Sequence, residues 1–201
     1  MRRKESEFKT IFFSESGTQK INNDYFGYVQ LDNYAIWVIA DGYDGEEGAN
    51  IASKLSVESA IEYFTAHPRF NKEVIKELFK YTNDTIKQKQ EEMERYSLMH
   101  TSLLIVISNY NKILYGNIGN TRLYHIQGGY IVNQSSDDSV SQLLVQERAL
   151  DIKDIKSHRQ RNDLLQAIGD YSKIKPIISN EIKLLEGDKI CLTTRGTWEN
   201  I

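Results

Sequence analysis

Four acidic side chains, Asp41, Asp44, Glu46 and Glu47, fall within the segment Ala40-Asp-Gly-Tyr-Asp-Gly-Glu-Glu-Gly48. Glycines at 42, 45 and 48 let this backbone bend tightly and approach a ligand. Carboxylates and exposed carbonyls on such a loop suit hard divalent cations such as Mg²⁺ or Mn²⁺. The spacing is not that of an EF-hand calcium loop, and an acidic, Gly-rich turn taken alone is more often a solvated loop. Upstream, Asn22-Asn-Asp24 precedes the aromatic run Tyr25-Phe-Gly-Tyr28. Asp24 reads either as the start of a strand, its carboxylate turned toward the same site, or as a turn residue.

The elements that must position these residues are legible around them. Tyr34 to Ala40 is β-branched, aromatic and apolar without interruption and ends at Asp41-Gly42, which predicts a strand buried on both faces. From Gly48 the period changes: Ile51, Leu55 and Ser59, with Ala52, Ala60 and Phe64, mark one face of a helix that stops before His67-Pro68. Ile75, Leu78, Phe79, Thr82, Ile86 and Met93 mark a second helix over roughly 72–95, with its charged face in water. Thr101–Ser108, Lys112–Ile118, Thr121–Ile126 and Tyr130–Val132 read as strands of an antiparallel meander separated by tight turns. Short helices are expected at Val140, Leu143, Leu144 and at Leu164, Leu165, Ile168, and a last strand at 189–194. Strands, helices, then strands make an α+β domain. With two prolines and no linker, a single domain over 1–201 is expected, residues 1–8 forming a flexible tail.

The 25 basic and 28 acidic side chains are spread along the chain, so no broad positive surface is implied and nucleic-acid binding is not expected. The one dense basic cluster, Arg2-Arg-Lys4, reads as a solvated tail. Cys191 is a lone cysteine inside an apolar run, read as a buried thiol in a protein of a reducing compartment. No run approaches the 18 apolar residues of a transmembrane helix, and a cytoplasmic location follows as the expectation.

Several short segments recur in a telling order. Gly17-Thr-Gln-Lys20 leads to Asn22-Asn-Asp24, and Val38-Ile-Ala-Asp-Gly42 is followed by Gly48-Ala-Asn-Ile-Ala-Ser53. Thr101-Ser-Leu-Leu104, Gly119-Asn-Thr-Arg122, Asp137-Asp-Ser139, Arg161-Asn-Asp-Leu-Leu-Gln-Ala-Ile-Gly169 and Gly187-Asp-Lys-Ile-Cys-Leu-Thr-Thr-Arg-Gly196 come after them. Together they resemble the metal-dependent protein phosphatases of the type-2C family over roughly residues 9 to 196. The resemblance implies a four-layer α-β-β-α sandwich of two antiparallel sheets flanked by helices. It also implies a two-metal centre that hydrolyses phosphoserine or phosphothreonine through metal-activated water. By the same resemblance Asp41 would bridge the metals, Gly42 would offer its carbonyl, and Asp24 would hold metal-bound water. Lys20, or Gln19, stands where the family has a phosphate-binding arginine.

Departures from the family pattern gather in the chemistry. Thr194-Arg-Gly196 stands where the family has Ser-Asp-Gly, so a permanent cation replaces a metal-ligating carboxylate. Asn120 replaces the aspartate of a Gly-Asp-Ser-Arg turn, Asp44 and Glu46 stand where glycines and a histidine are usual, and His100 replaces a glycine and is expected in the core or at the rim. The family pattern runs on beyond the position of Ile201, so the sequence is either a piece of a longer chain or a C-terminally shortened sandwich, and in the second case its sheet edge is expected to be rebuilt or covered, a second copy or another partner supplying the cover. The resulting expectation is a catalytically weak or inactive member that binds a phosphoprotein or regulatory partner. An active Mn²⁺- or Mg²⁺-dependent protein serine/threonine phosphatase is the alternative. Whether one ion, two or none is held stays open.

Overall fold

Residues 8–43 and 45–200 are described by the computed structural model, so the cluster Arg2, Arg3, Lys4 and the loop residue Asp44 lie outside the described residues. Residues 1–7 of the expected tail also lie outside the described residues, and Phe8 packs its ring edge-on against Trp37 with centroids 4.7 Å apart.

Aromatic and β-branched residues build β1 (Asp24–Gln30) and β2 (Ala35–Gly42), which pair antiparallel so that Asp24 lies opposite Asp41. Helices α1 (Ala49–Ala66) and α2 (Lys72–Glu92) follow, the second capped by the Asn71 side chain accepting from the Val74 N–H. A single 3₁₀ turn, Glu94–Tyr96, replaces the last turn expected of α2. Strand β3 (Thr101–Ser108) is buried along its whole length and pairs with β2 and with β4 (Lys112–Ile118). Two short strands, β7 (Ile177–Ile178) and β8 (Ile182–Lys183), add to the far side of β4.

The expected single meander is corrected at Gly119. Strand β5 (Arg122–Gln127) leaves the first sheet and forms a second one, in the order β6 (Tyr130–Gln134), β5, β9 (Lys189–Thr193). The chain turns at Gly119 with φ of +88°, and a Cβ there would stand 2.3 Å from that of Ser102, so only glycine fits the crossing. Leu104, Val106, Ile113 and Tyr115 of the first sheet meet Leu123, Ile190 and Leu192 of the second. On its other face the first sheet packs Ile36, Val38, Leu103 and Ile105 against Val57, Phe64, Ile75, Leu78 and Phe79 of the two helices. The result is an α+β fold of two antiparallel sheets with helices.

Two further expectations need correction. Leu164 to Ile168 is not helical but irregular chain held by single bridges, Leu164 to Ser139 and Ile168 to Thr101. Short helix α3 (Val140–Gln146) does form, started by Ser139. Cys191 is exposed rather than buried. In β9 the alternation sends Ile190 and Leu192 to the space between the sheets, which turns the residue between them outward. Among the described residues no helix is long and apolar enough to cross a membrane.

Candidate active site

The end of β2 and the start of β1 bring two carboxylates side by side. Asp24 begins its strand because Asn22 folds back on it, its Oδ1 accepting the Asp24 N–H at 3.0 Å. Across the ladder, Asp41 also faces Ser102 of β3, whose hydroxyl donates to the Asp41 carbonyl at 3.3 Å. Gly42 donates its N–H to the Asn23 carbonyl at 3.0 Å. A Cβ on Gly42 would lie 2.3 Å from the Ala49 carbonyl oxygen, so the residue is the only type that lets the first turn of α1 close over the strand. Tyr43 then donates its N–H to the His100 carbonyl, fixing how the loop departs.

The opposite wall comes from the end of the chain. After β9, Thr194 donates its hydroxyl to Asp24 Oδ2 at 2.6 Å, and the N–H of Arg195 donates to Asp41 Oδ2 at 3.1 Å. Arg195 opens the short helix α4 (Arg195–Trp198). That helix is held down by Trp198, 2% exposed, whose indole N–H donates to the Asn120 carbonyl at 2.8 Å. The Arg122 guanidinium lies 3.4 Å from the Trp198 ring centroid and grips Asp137 with two bonds of 2.8 and 2.6 Å. Burial pushes the Asp137 carboxyl above its usual range against the opposing pull of Arg122. Between the two walls is a cavity of about 140 Å³, lined among others by Asp41, Ser102, Asn120, Asn162 and Arg195.

The residues singled out in the sequence divide between two places. Asp24, Asp41 and Gly42 come together at this mouth. Lys20 instead lines a wider neighbouring depression with Glu46, Glu47 and Asn50. His100 sits at the rim, its Nδ1 3.1 Å from Glu46 and its Nε2 3.6 Å from Asp170. Sequence reading missed the contact of Thr194 with Asp24, the cavity positions of Tyr43, Ser102 and Asn162, and the anchoring by Trp198. Tryptophan three residues beyond Arg195, in a chain with two tryptophans, was the available signal for the last of these.

Whether the cavity suits a divalent ion follows from its donors. Asp41 supplies a carboxylate, and Asn162 carries a buried Oδ1 with no hydrogen-bond partner among the described residues. Such oxygen ligands, with water completing the shell, fit one Mg²⁺ or Mn²⁺, an ion that is commonly bound through one or two carboxylates. No group of three or more His, Cys, Asp or Glu side chains able to hold a metal occurs among the described residues.

Two face-to-face antiparallel sheets, helices packed on the larger one, and paired aspartates at one end define the architecture of a metal-dependent phosphatase. The sequence profile of the protein phosphatase 2C family matches residues 14–198, and the chain belongs to that family. It is 27% identical over 188 residues to protein phosphatase PhpP of Streptococcus pneumoniae, covering 91% of this chain and 76% of that protein. Its fold matches the crystal structure of the serine/threonine phosphatase Stp1 from Staphylococcus aureus with a TM-score of 0.85 at 22% identity, over 100% of this chain and 83% of the other. A structure of the catalytic domain of PstP in complex with two manganese ions matches with a TM-score of 0.77 at 19% identity, over 92% and 75% of the two chains.

Proposed function

We propose that this chain is a metal-dependent phosphatase domain acting on phosphoserine and phosphothreonine in proteins, with a single Mg²⁺ or Mn²⁺ at Asp41. The observation that carries the reading is the pairing of Asp24 with Asp41, the latter lining a cavity of about 140 Å³. It is supported by the family membership, by the name of the pneumococcal relative and by the manganese ions named for PstP. Asp41, the Gly42 carbonyl and Asn162 would hold the ion. When bound it supplies positive charge to the phosphoryl oxygens and makes a coordinated water more acidic. The chain's own contribution is placement. Thr194 fixes the Asp24 carboxylate, the Arg195 N–H fixes that of Asp41, and the Asn120 side chain would offer a hydrogen bond to the ligand. The cytoplasm, where phosphoproteins and a reduced Cys191 coexist, is the location this reading favours.

A second reading has its own observation. Arg195 lines the cavity as a permanent cation beside Asp41, which opposes a second divalent ion and favours weak or absent turnover with phosphoprotein binding retained. Hydrolysis of a phosphothreonine peptide in millimolar Mn²⁺, abolished by Asp41→Asn, supports the first reading. Peptide binding without hydrolysis supports the second.

A further inference from the structure

We propose that His100 is a positioning residue that clamps two sides of the cavity's mouth when its ring is protonated, and that phosphate-ester turnover falls as the ring loses that proton. The inference deepens the reading above and rests on it for the reaction whose pH profile is read.

Each ring nitrogen of His100 faces a carboxylate from a different part of the chain. Nδ1 stands 3.1 Å from Glu46 Oε2 in the loop before α1, and Nε2 stands 3.6 Å from Asp170 Oδ1, within ion-pair range. A neutral imidazole carries one N–H and serves one of these oxygens, leaving a lone pair against the other. An imidazolium carries two and serves both. Each carboxylate leads to the cavity. The Glu46 loop includes the lining residue Tyr43, whose N–H donates to the His100 carbonyl at 2.9 Å and whose hydroxyl reaches the Asn162 carbonyl at 3.4 Å. Asp170 ends the segment that carries the lining residues Asn162 and Leu164. It is fixed there, since its Oδ2 accepts the Ala167 N–H at 2.8 Å while Ile168 and Thr101 exchange backbone bonds of 2.9 and 3.1 Å. Gly169, with φ of +105°, lays its backbone against the ring, and a Cβ there would stand 3.1 Å from Cδ2. The ring thus joins a loop to a fixed segment. The side chains of His100, Glu46 and Asp170 are 19%, 24% and 32% exposed, so solvent screens their contacts only in part. Among the described residues these two carboxylates are the charged groups at the ring, with Asp138 acting on Asp170 from beyond it. The adjoining side chain of α2, Gln90, is neutral and donates to the Met99 and Gly169 carbonyls.

The test compares the original chain with His100→Gln, which cannot be charged, and with His100→Arg, a permanent planar cation that presents donors in two directions. Initial rates on a phosphothreonine peptide in Mn²⁺ are taken from about pH 5.5 to about pH 8.5, the range in which an imidazole changes charge. Substrate and metal titrate alike in each protein, so rate ratios at each pH isolate the ring. The kcat/KM of His100→Gln is expected about three- to tenfold below the original at the acid end and within about twofold of it at the alkaline end, with His100→Arg staying above His100→Gln throughout. Amide exchange over residues 45–49, with metal omitted, reads the clamp without turnover. The original chain should match His100→Arg at acid pH and His100→Gln at alkaline pH. Thermal unfolding confirms that each variant is folded. Rate and exchange ratios between the original and His100→Gln that stay constant with pH overturn the inference, as does a pH step that persists in His100→Gln and disappears in Asp44→Asn. The expected exchange pattern without hydrolysis at any pH supports the clamp and counts against the phosphatase, whereas hydrolysis indifferent to His100 does the reverse.

Discussion

At the scale of single residues the candidate site depends on which charges share one small space. Asp41 and Arg195 line the same cavity, joined through the backbone N–H of the arginine. Arg195→Asp replaces a repelling cation with a carboxylate, and Mn²⁺ affinity should rise by about tenfold or more, read by titration calorimetry. An unchanged affinity would mean the guanidinium exerts no field on the ion. Gly42 is a steric rather than an electrostatic constraint, since any side chain would run into the Ala49 carbonyl. Gly42→Ala should cost about 3 kcal/mol in urea unfolding, because backbone rather than a flexible side chain has to move. Asp41, Gly42 and Asp24 were readable in the sequence because they flank strongly apolar strands. Thr194 was not, because its partner lies 170 positions away and no local pattern encodes such a contact.

The elements that close the site are short, and side chains rather than length hold them. Helix α4 has four residues and is too short to be stable alone, so Trp198 carries it. Trp198→Ala should lower stability by about 3–5 kcal/mol in chemical denaturation. The turn into β9 is fixed differently. Asp188 Oδ2 accepts from His125 at 2.8 Å, Gln127 at 2.9 Å and the Leu185 N–H at 2.9 Å. Burial pushes this carboxyl upward, but the hydrogen bonds from Gln127, Leu185 and His125 outweigh it and hold it below its ordinary value. Around pH 4 the unfolded chain therefore binds more protons here than the folded one. The stabilisation is full above that pH and is lost as pH falls through the depressed value. Thermal melts of Asp188→Asn should fall furthest below the original chain at neutral pH, with the gap narrowing toward pH 3. The helices and β3 were legible because their periods are long and unbroken. The Leu164–Ile168 segment misled because three apolar residues at helical spacing also suit irregular chain pinned by two bridges.

Across the whole molecule, burial is uneven. Strand β3 is covered along its entire length, whereas all five residues of β6 are exposed. Amide exchange followed by mass spectrometry should leave β2 and β3 as the slowest segments and β6 among the fastest, and equal protection would contradict this layering. That the strands divide between two sheets was legible through the family resemblance and not through the local pattern, because a tight turn at Gly119 looks the same whether the chain folds back or crosses over. The crossing has a consequence for how the protein comes into being. Its first sheet joins neighbours such as β1 and β2 early in synthesis, while the mouth waits for Thr194 to reach Asp24. A ribosome carrying most of this polypeptide thus holds a nascent chain whose scaffold has begun to set and whose phosphate-handling end does not yet exist.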